Sequence, residues 1–381
     1  MKKTKQLAIF GFCLSFIIIG FTVFYFTPVS YFAMLPGEAM DTKSFVRVGT
    51  TGQDERGSFL LTTISLKRAS IADYLLSFTS DEMKLVPEEQ ILAQNESDEE
   101  YERRQQENMI ESQNHAIIAA FRQAKKPMKV EHIGVEVIEV TKNAKSGLKT
   151  GDLIQAIDKR PIRDSESLIR YLQNKKAGEM VEVSFVRKNK PMKQKVSLIS
   201  LPSVSKEEKS RAGLGIVPMD RIRLHTNPPA QIKTENIGGP SAGLMFSLEV
   251  LDQLLPENLT RGYTVAGTGT INDKGEVGQI GGIEFKVLAA EREGAQIFFC
   301  PKDIHPGDDN EKIAKETARK IHTKMKIVPV SKLDDAVKYL RKLPELSSSV
   351  NEKTLTALGS LTYNNSVFKQ GVESCKFSCT K

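Results

Sequence analysis

The sequence predicts an α+β protein whose first element is a membrane-spanning helix. Three observations lead to this prediction: an uncharged apolar run near the N-terminus, short β-like segments before residue 201, and apolar residues at helical spacing that follow a glycine-rich loop near residue 238. A chain of 381 residues is long enough for two or three domains, so we expect these segments to divide among several cores.

The N-terminal run has the length of a transmembrane helix. Leu7–Phe26 contains no charged residue, and at ~1.5 Å rise per residue it spans a hydrocarbon core of ~30 Å. A cleaved signal peptide is the alternative, but it has an apolar core of roughly 7–15 residues and a small-residue cleavage site, which we do not find before residue 36. Because three lysines precede the run, residues 1–6 are predicted to be cytoplasmic and the remainder extracytoplasmic, at the cell membrane.

Charge and cysteine usage exclude several classes of function. The 54 Lys and Arg residues exceed the 47 acidic residues by only 7 and are spread along the chain, so nucleic acid is not a predicted partner. The four cysteines have no zinc-type spacing, and neither a dinucleotide fingerprint nor a Walker loop occurs. No metal, cofactor or ATP is therefore predicted. Cys375 and Cys379 would pair only in an oxidising compartment.

Residues 30–125 combine β-like segments with a charged helix. SFVRVG and SFLLTTISL are predicted strands, and GTTGQDERG between them is a predicted turn. Residues 81–127 are highly charged, which is typical of a solvated helix or loop. From Ile110 an apolar face develops, and the helix is predicted to end before Pro127.

Residues 126–202 are predicted to form a compact β-rich unit with one capped helix. The run SGLKTGDLIQAIDKRPI resembles a PDZ domain. This resemblance implies capture of a peptide by strand addition to a sheet edge. Ile133, Gly134 and Val135 are the predicted peptide-binding residues, although no usual carboxylate-binding loop is recognisable there. A spacer that binds nothing specific is the alternative.

Ser241 is the predicted nucleophile of the chain. It follows two glycines and a proline and precedes an apolar run at helical spacing, so it lies at the start of a helix. Backbone N–H groups are free at a helix start, and Gly238 and Gly239 allow close approach of a ligand. Gly238, Gly239 and Ala242 are therefore the predicted oxyanion loop.

Lys286 is the predicted base for that serine. It lies in an otherwise apolar helical run, where loss of hydration disfavours the charged amine and lowers its pKa. A neutral lysine can accept the serine proton.

These motifs resemble the proteolytic domain of Lon-type proteases over about residues 210–343. The resemblance is carried by GGPSAGL, by AGTGTINDKGEVGQIGG and by the lysine followed by VLAAEREGAQIFFCPKD. It implies a catalytic Ser–Lys dyad of Ser241 and Lys286, with Thr268 hydrogen-bonded to the lysine. Many family members have an acidic residue at the position of Gly239.

Other serine chemistries fit these residues less well. GPSAG also matches a nucleophile elbow, but AQIKTENIGG before it is too polar for a buried strand. His225 precedes the serine and could complete a triad. Ser203–Lys206 spells S-x-x-K, a motif of penicillin-interacting enzymes, but it lies in a polar linker. The KTG motif that follows it in those enzymes comes before it here, at Lys149–Gly151.

Taken together, the chain resembles membrane-anchored PDZ–Lon-type serine proteases of Gram-positive bacteria. The resemblance implies an ATP-independent endopeptidase that cleaves extracytoplasmic peptides or protein segments selected by a PDZ domain; a membrane-anchored PDZ adaptor with an inactive protease domain is the alternative. Residues 45–125 are predicted to pack onto the protease domain, with the PDZ unit inserted between its two halves. The predicted divisions are cytoplasmic 1–6, transmembrane 7–26, membrane-proximal 30–125, PDZ 126–202, proteolytic 203–343 and a mobile tail 344–381.

Overall fold

A computed structural model describes most of the chain before residue 347. The described residues are 2–49, 56–93, 96–141, 143–144, 146–201, 211–234 and 237–346. The prediction of a mobile tail and the question of Cys375 and Cys379 concern residues that lie almost wholly outside these ranges.

In the described residues of the N-terminal third, the structure has four α-helices and four strands. They are α1 (Lys2–Phe26), β1 (Pro28–Asp41), β2 (Val46–Val48), β3 (Ser58–Ser70), α2 (Ile71–Leu76), β4 (Lys84–Pro87), α3 (Glu88–Ile91) and α4 (Asp98–Gln123). A capping box formed by Ser97 and Glu100 starts α4, which therefore begins twelve residues before the predicted apolar face at Ile110.

The N-terminal run forms helix α1, but its predicted role is not confirmed. Among the described residues, we find no helix with both the length and the apolar character that crossing a membrane requires.

The middle of the chain forms a second β-rich body. Its elements are β5 (Met128–Val140), β6 (Leu153–Ile157), β7 (Arg160–Pro161), α5 (Ser165–Leu172), β8 (Met180–Arg187), β9 (Lys190–Ser197), β10 (Ile199–Leu201), β11 (Arg211–Gly213) and β12 (Ile216–Thr226). The main sheet has the order β12-β5-β6-β8-β9, and β7 pairs with β6. Buried side chains from these strands and from α5 form a core of their own, including Val135, Ile154 and Leu168.

The C-terminal part, over residues 230–234 and 237–346, has four helices and six strands. They are β13 (Ala230–Ile232), α6 (Gly243–Leu254), β14 (Thr264–Gly267), β15 (Thr270–Ile271), β16 (Val277–Gly278), α7 (Ile283–Arg292), β17 (Ile297–Pro301), α8 (Asn310–Lys320), β18 (Lys326–Val330) and α9 (Leu333–Arg341).

Strands from both ends of the chain share one six-stranded sheet of order β18-β17-β14-β3-β1-β4. Side chains of successive strand residues point to opposite faces, so β3 contributes Phe59 and Leu61 to the layer of α4, α6 and α9. Leu60 faces the opposite layer, which contains α7 and α8. The fold is therefore mixed α/β with a helical layer on each face of this sheet, and the β-rich body lies between its two halves in the chain.

Strand β12 differs from its sequence prediction. The sequence pattern predicts two strands in the C-terminal domain, at residues 215–218 and 222–225, but Ile216–Thr226 form one strand that pairs with β5. Two register shifts accommodate the polar turn-like residues between them. The predicted division at residues 202–203 therefore places β12 with the proteolytic domain, whereas its pairing partner β5 lies in the predicted PDZ range, because pairing partners are set by register and not by local pattern.

Candidate active site

Ser241 lies in the tight turn that leads into α6. Gly239 has a φ of 86°, a value that glycine adopts without strain, and this turns the chain toward the helix that starts at Gly243. The helix has no side-chain cap at its N-terminus. Within the described residues, the N–H groups of Ser241 and Ala242 have no hydrogen-bond acceptor. Two donors are therefore available beside the serine hydroxyl, at the positive end of the helix dipole.

The predicted oxyanion loop is only partly free. The N–H of Gly239 donates to the carbonyl oxygen of Gln105 in α4, over 2.8 Å. The Gly239 amide is therefore occupied, and Ser241 and Ala242 supply the better placed donors. Ser112 of α4 also bonds the turn, because its hydroxyl donates to the carbonyl of Pro240 over 2.9 Å. No sequence motif indicated that a helix more than a hundred residues earlier holds this turn.

Lys286 reaches Ser241 from helix α7. Its Nζ lies 2.7 Å from Ser241 Oγ and donates to the carbonyl oxygen of Thr62 over 2.9 Å. Gly282, at a φ of 67°, allows α7 to start close against the side chains of Met34 and Ile64 on the central sheet. The lysine is only 2% exposed. The turn and α7 thus bring the two predicted residues into direct contact.

Burial controls the protonation of Lys286. Loss of hydration lowers the pKa of its amine from 10.5 to about 7. Near neutral pH a large fraction of the amine is therefore uncharged. In that state its lone pair accepts the Ser241 hydroxyl proton, so the 2.7 Å contact is a nucleophile–base pair in geometry.

Thr268 does not make its predicted contact. Its hydroxyl donates to the carbonyl oxygen of Ser241 over 3.1 Å, and the N–H of Gly269 donates to the same oxygen over 2.9 Å. In the described part of the chain, Lys286 Nζ bonds Thr62 and Ser241 but not Thr268. Thr268 is buried beside the serine backbone, so it fixes the nucleophile and not the base. The lysine is oriented instead by a backbone carbonyl of β3.

Two cavities meet at the serine and the lysine. One has a volume of about 1190 Å³ and extends past Gln105, Ile232 and Gly281. The other, of about 430 Å³, is lined on its far side by Glu38, Met40 and Phe45 of the N-terminal third, among others. Both include Gly238, Ser241 and Lys286 in their walls. An extended polypeptide could therefore pass across the hydroxyl with room on both sides.

The histidine alternative has no geometric support. His225 lies on β12 and its Nε2 contacts Glu131 of β5 over 3.0 Å, so the ring is held on the β-rich body. The residues before Ser241 form a loop and not the strand that a nucleophile elbow needs. In the described residues no group of three or more His, Cys, Asp or Glu is arranged to hold a metal ion.

The predicted peptide-binding residues lie on β5, an inner strand of the sheet. Gly134 and Val135 are buried in β5, which pairs with β12 on one side and with β6 on the other. Ile133 lies at the register shift between β5 and β12. At Val135 both edges of β5 are paired, with β12 and with β6, so a peptide cannot add as a further strand at this residue.

Apart from β9 at the far side of the sheet, the strand with an open edge is β12. It ends the strand order, and α5 packs beside it, with the N–H and hydroxyl of Ser165 donating to Asp220 over 2.6 and 2.5 Å. Residues 213–216, GLGI, run from the end of β11 through a turn into the start of β12, and Gly215 in the turn has a φ of 70°. An edge strand, a flanking helix and a turn of backbone N–H groups suit capture of an extended peptide and its carboxylate. The GLGI run was the missed signal, because it follows the other PDZ-like segments in the chain.

Two protein-family models match different parts of the chain. Residues 110–198 match the PDZ domain, and residues 197–342 match the Lon protease (S16) C-terminal proteolytic domain. The chain carries a PDZ domain and a Lon-type proteolytic domain. Strand β12 lies in the range of the Lon-type match, although it completes the sheet of the PDZ domain.

Curated relatives are similar to the Lon-type domain. The Lon protease of Metamycoplasma arthritidis is 34% identical over 119 residues, which are 31% of this chain and 13% of that protein. The Lon protease of Azospirillum brasilense is 34% identical over 134 residues, which are 34% of this chain and 15% of that protein. The Lon protease of Chloroflexus aggregans is 28% identical over 152 residues, which are 39% of this chain and 17% of that protein. The chain thus spans less than a fifth of the length of these relatives.

A solved PDZ domain is similar to the PDZ part. The PDZ domain of the SdrC-like protein from Listeria monocytogenes is 28% identical in sequence to this chain. The match covers 24% of this chain and 92% of the Listeria domain, with a TM-score of 0.21. That score is too low to define a common fold.

Proposed function

We propose that the protein is an ATP-independent serine endopeptidase in which Ser241 is the nucleophile and Lys286 the general base. The observation that carries the proposal is the 2.7 Å contact between Lys286 Nζ and Ser241 Oγ inside a buried site of the Lon-type domain. A surface lysine would be charged and could not accept a proton at neutral pH. The inactive-adaptor alternative is not favoured, because the dyad is assembled.

The proposed reaction proceeds through an acyl-enzyme. Ser241 Oγ attacks the peptide carbonyl carbon as its proton moves to Lys286 Nζ, and the carbonyl oxygen becomes an oxyanion. The N–H groups of Ser241 and Ala242 stabilise that oxyanion. The tetrahedral intermediate then collapses, the C–N bond breaks, and Lys286 returns the proton to the leaving amine. Water attacks the ester with Lys286 again as base, which releases the acid and restores Ser241.

We infer that the PDZ domain selects substrates at the open edge of β12. A peptide that adds antiparallel to β12 would place its carboxylate at residues 213–216 and run toward Thr226. Beyond Thr226, β13 leads to Ile232 in the wall of the larger cavity. A bound peptide therefore extends from the PDZ edge toward the serine.

We also propose that α1 holds the protein at the cell membrane, with residues 1–6 in the cytoplasm and the catalytic body outside. Leu7–Phe26 carries no charge, and most of its described side chains, including Phe10, Ile19 and Phe26, are exposed. Exposed apolar residues of this density require a partner or a lipid phase. Protease added to intact cells should degrade the body beyond residue 30; its full protection would contradict this placement.

Cleavage of an unfolded protein tests the activity. We expect the purified full chain in detergent to hydrolyse reduced, fluorescein-labelled casein without ATP and in the presence of EDTA. Ser241→Ala serves as the control and should leave the substrate intact. Mass spectrometry of the products would show internal cuts if the protein is an endopeptidase. Equal turnover by the wild type and Ser241→Ala would exclude the proposed site.

The pH dependence of kcat reports the protonation state of the proposed base, Lys286. Since burial lowers the pKa of Lys286 to about 7, the neutral fraction rises with pH. Below that pKa, kcat should increase about tenfold per pH unit, because only the neutral amine accepts a proton. Above pH 8 it should reach a plateau. Stopped assays from pH 5 to 9 would measure the profile, and a rate that falls as pH rises through 7 would contradict a lysine base.

Thr268→Val is expected to slow the reaction without abolishing it. Valine keeps the shape but removes the hydroxyl that donates to the Ser241 carbonyl. One neutral hydrogen bond contributes on the order of 1 kcal/mol, so kcat should fall by about tenfold or less. The pH profile should keep its midpoint, because Thr268 does not contact Lys286 Nζ. A shifted midpoint would instead indicate direct coupling to the lysine.

A further inference from the structure

Helix α4 lies between the PDZ domain and the turn that carries Ser241. We call residues 237–242 the nucleophile loop. The helix packs against α6, β13 and β15 of the proteolytic domain and against β5 of the PDZ domain. Gln105 and Ser112 bond the nucleophile loop, and Gln113 Nε2 donates to Thr234 just before it, over 2.9 Å. The same helix therefore touches the loop and the sheet whose edge is β12.

Arg221 is the charged group at the boundary between β12 and α4. Its guanidinium pairs with Glu107 of α4 and with Glu136 of β5. The side chains of Arg221, Glu107 and Glu136 are 18%, 14% and 21% exposed, so all three are largely desolvated. Removing one partner from such a pair leaves a poorly hydrated charge, which opposes separation. The pair with Glu136 stays within the PDZ sheet, whereas the pair with Glu107 crosses to α4.

Glu107 lies two residues from the contact with the nucleophile loop. The carbonyl of Gln105 accepts the Gly239 N–H, and a Cβ at Gly238 would lie 2.7 Å from the Cβ of Gln105. At that distance the neighbour would have to move, so helix and loop are in close contact. Any displacement of α4 must therefore be shared by the loop or break the bond to Gly239.

We propose that α4 is a positioning helix that couples the peptide-binding edge of the PDZ domain to the nucleophile loop. The Arg221–Glu107 ion pair connects β12 to α4 in this coupling. A peptide that adds to β12 fixes the strand that carries Arg221. Through Glu107 this fixes α4, and through Gln105 and Ser112 it fixes the backbone around Ser241. Occupancy of the PDZ edge then favours the loop geometry that aims the hydroxyl at Lys286. The consequence for turnover rests on the proposed peptidase function; the mechanical link does not.

Glu107→Gln and Glu136→Gln form a matched pair for the test. Both remove one carboxylate from Arg221, but only Glu107 crosses to α4. Two quantities are measured on the full chain in detergent: hydrogen exchange of the Gly239 amide, and kcat and KM for a short internally quenched peptide. We expect Glu107→Gln to raise the exchange rate and lower kcat by roughly five- to tenfold, the effect of about 1 kcal/mol, with KM within twofold. Glu136→Gln should leave both within twofold.

Arg221 provides the second arm. Arg221→Met should reproduce Glu107→Gln, the double variant should be no worse than either single variant, and Arg221→Lys should restore most of the protection at Gly239. If Glu107→Gln fails to fold, Glu107→Asp and Glu136→Asp replace the pair.

Equal effects of the two glutamate variants, or unchanged exchange at Gly239 in Glu107→Gln, would overturn the coupling. Hydrogen exchange of the Gly239 amide tests the coupling even if the wild-type protein cleaves no peptide. Conversely, Ser241-dependent cleavage with unchanged exchange would reject the coupling and leave the peptidase function standing.

Discussion

Lys286→Met is expected to abolish most peptide hydrolysis, with kcat reduced by at least about 100-fold, since general-base catalysis contributes roughly 100- to 10,000-fold. Methionine fills the same buried space but has no lone pair basic enough to accept the Ser241 proton. The serine would then keep its proton and remain a weak nucleophile. Ser241→Ala should cause a similar loss, and the double variant should be no slower than either single one, because the two side chains act as a unit.

Lys338→Met is the control for removing a lysine. Lys338 is exposed on α9, where it pairs with Asp334 one turn away, and it lies outside both cavities at the serine. Its activity should equal that of the wild type. Burst and steady-state assays with a peptide ester and the matching amide would measure the loss. If Lys286→Met kept near-normal activity while His225→Ala lost it, the dyad would be rejected in favour of the histidine.

Lys286→Met is also expected to stabilise the fold. Burial lowers the pKa of Lys286 from 10.5 to about 7, so between these values the unfolded chain binds a proton that the folded chain does not. The free energy of unfolding therefore carries no penalty from this group above pH 10.5. As pH falls from 10.5 to 7 the penalty grows by about 1.4 kcal/mol per pH unit, and below 7 it stays constant. Methionine removes the penalty.

Urea unfolding followed by circular dichroism would measure this effect. Between pH 7.5 and 9.5, the difference in free energy of unfolding between Lys286→Met and the wild type should shrink by about 1.4 kcal/mol per pH unit. Lys338→Met should show no such slope relative to the wild type, because its amine is exposed. A constant difference between Lys286→Met and the wild type would mean that the buried amine is not neutral at these pH values.

The sequence by itself indicated the proposed nucleophile and the proposed base. Ser241 could be placed at a helix start because glycine and proline precede an apolar run at helical spacing. Lys286 could be assigned a lowered pKa because an amine in an apolar helical run loses its hydration. Both are local features, since the side chain itself and its nearest neighbours in the chain determine them. Resemblance to two known families also identified the kinds of domain present, which the comparisons support.

Only the tertiary structure decided what holds these groups in place. Lys286 is oriented by the carbonyl of Thr62 and the nucleophile loop is held by the carbonyl of Gln105, and every residue type has such a carbonyl. No sequence pattern can therefore reveal them. The same limit applies to the predicted peptide-binding residues: local pattern shows that a segment is a strand, but register and pairing decide whether its edge is open. β5 has both edges paired, whereas β12, distant in the chain, keeps one edge open.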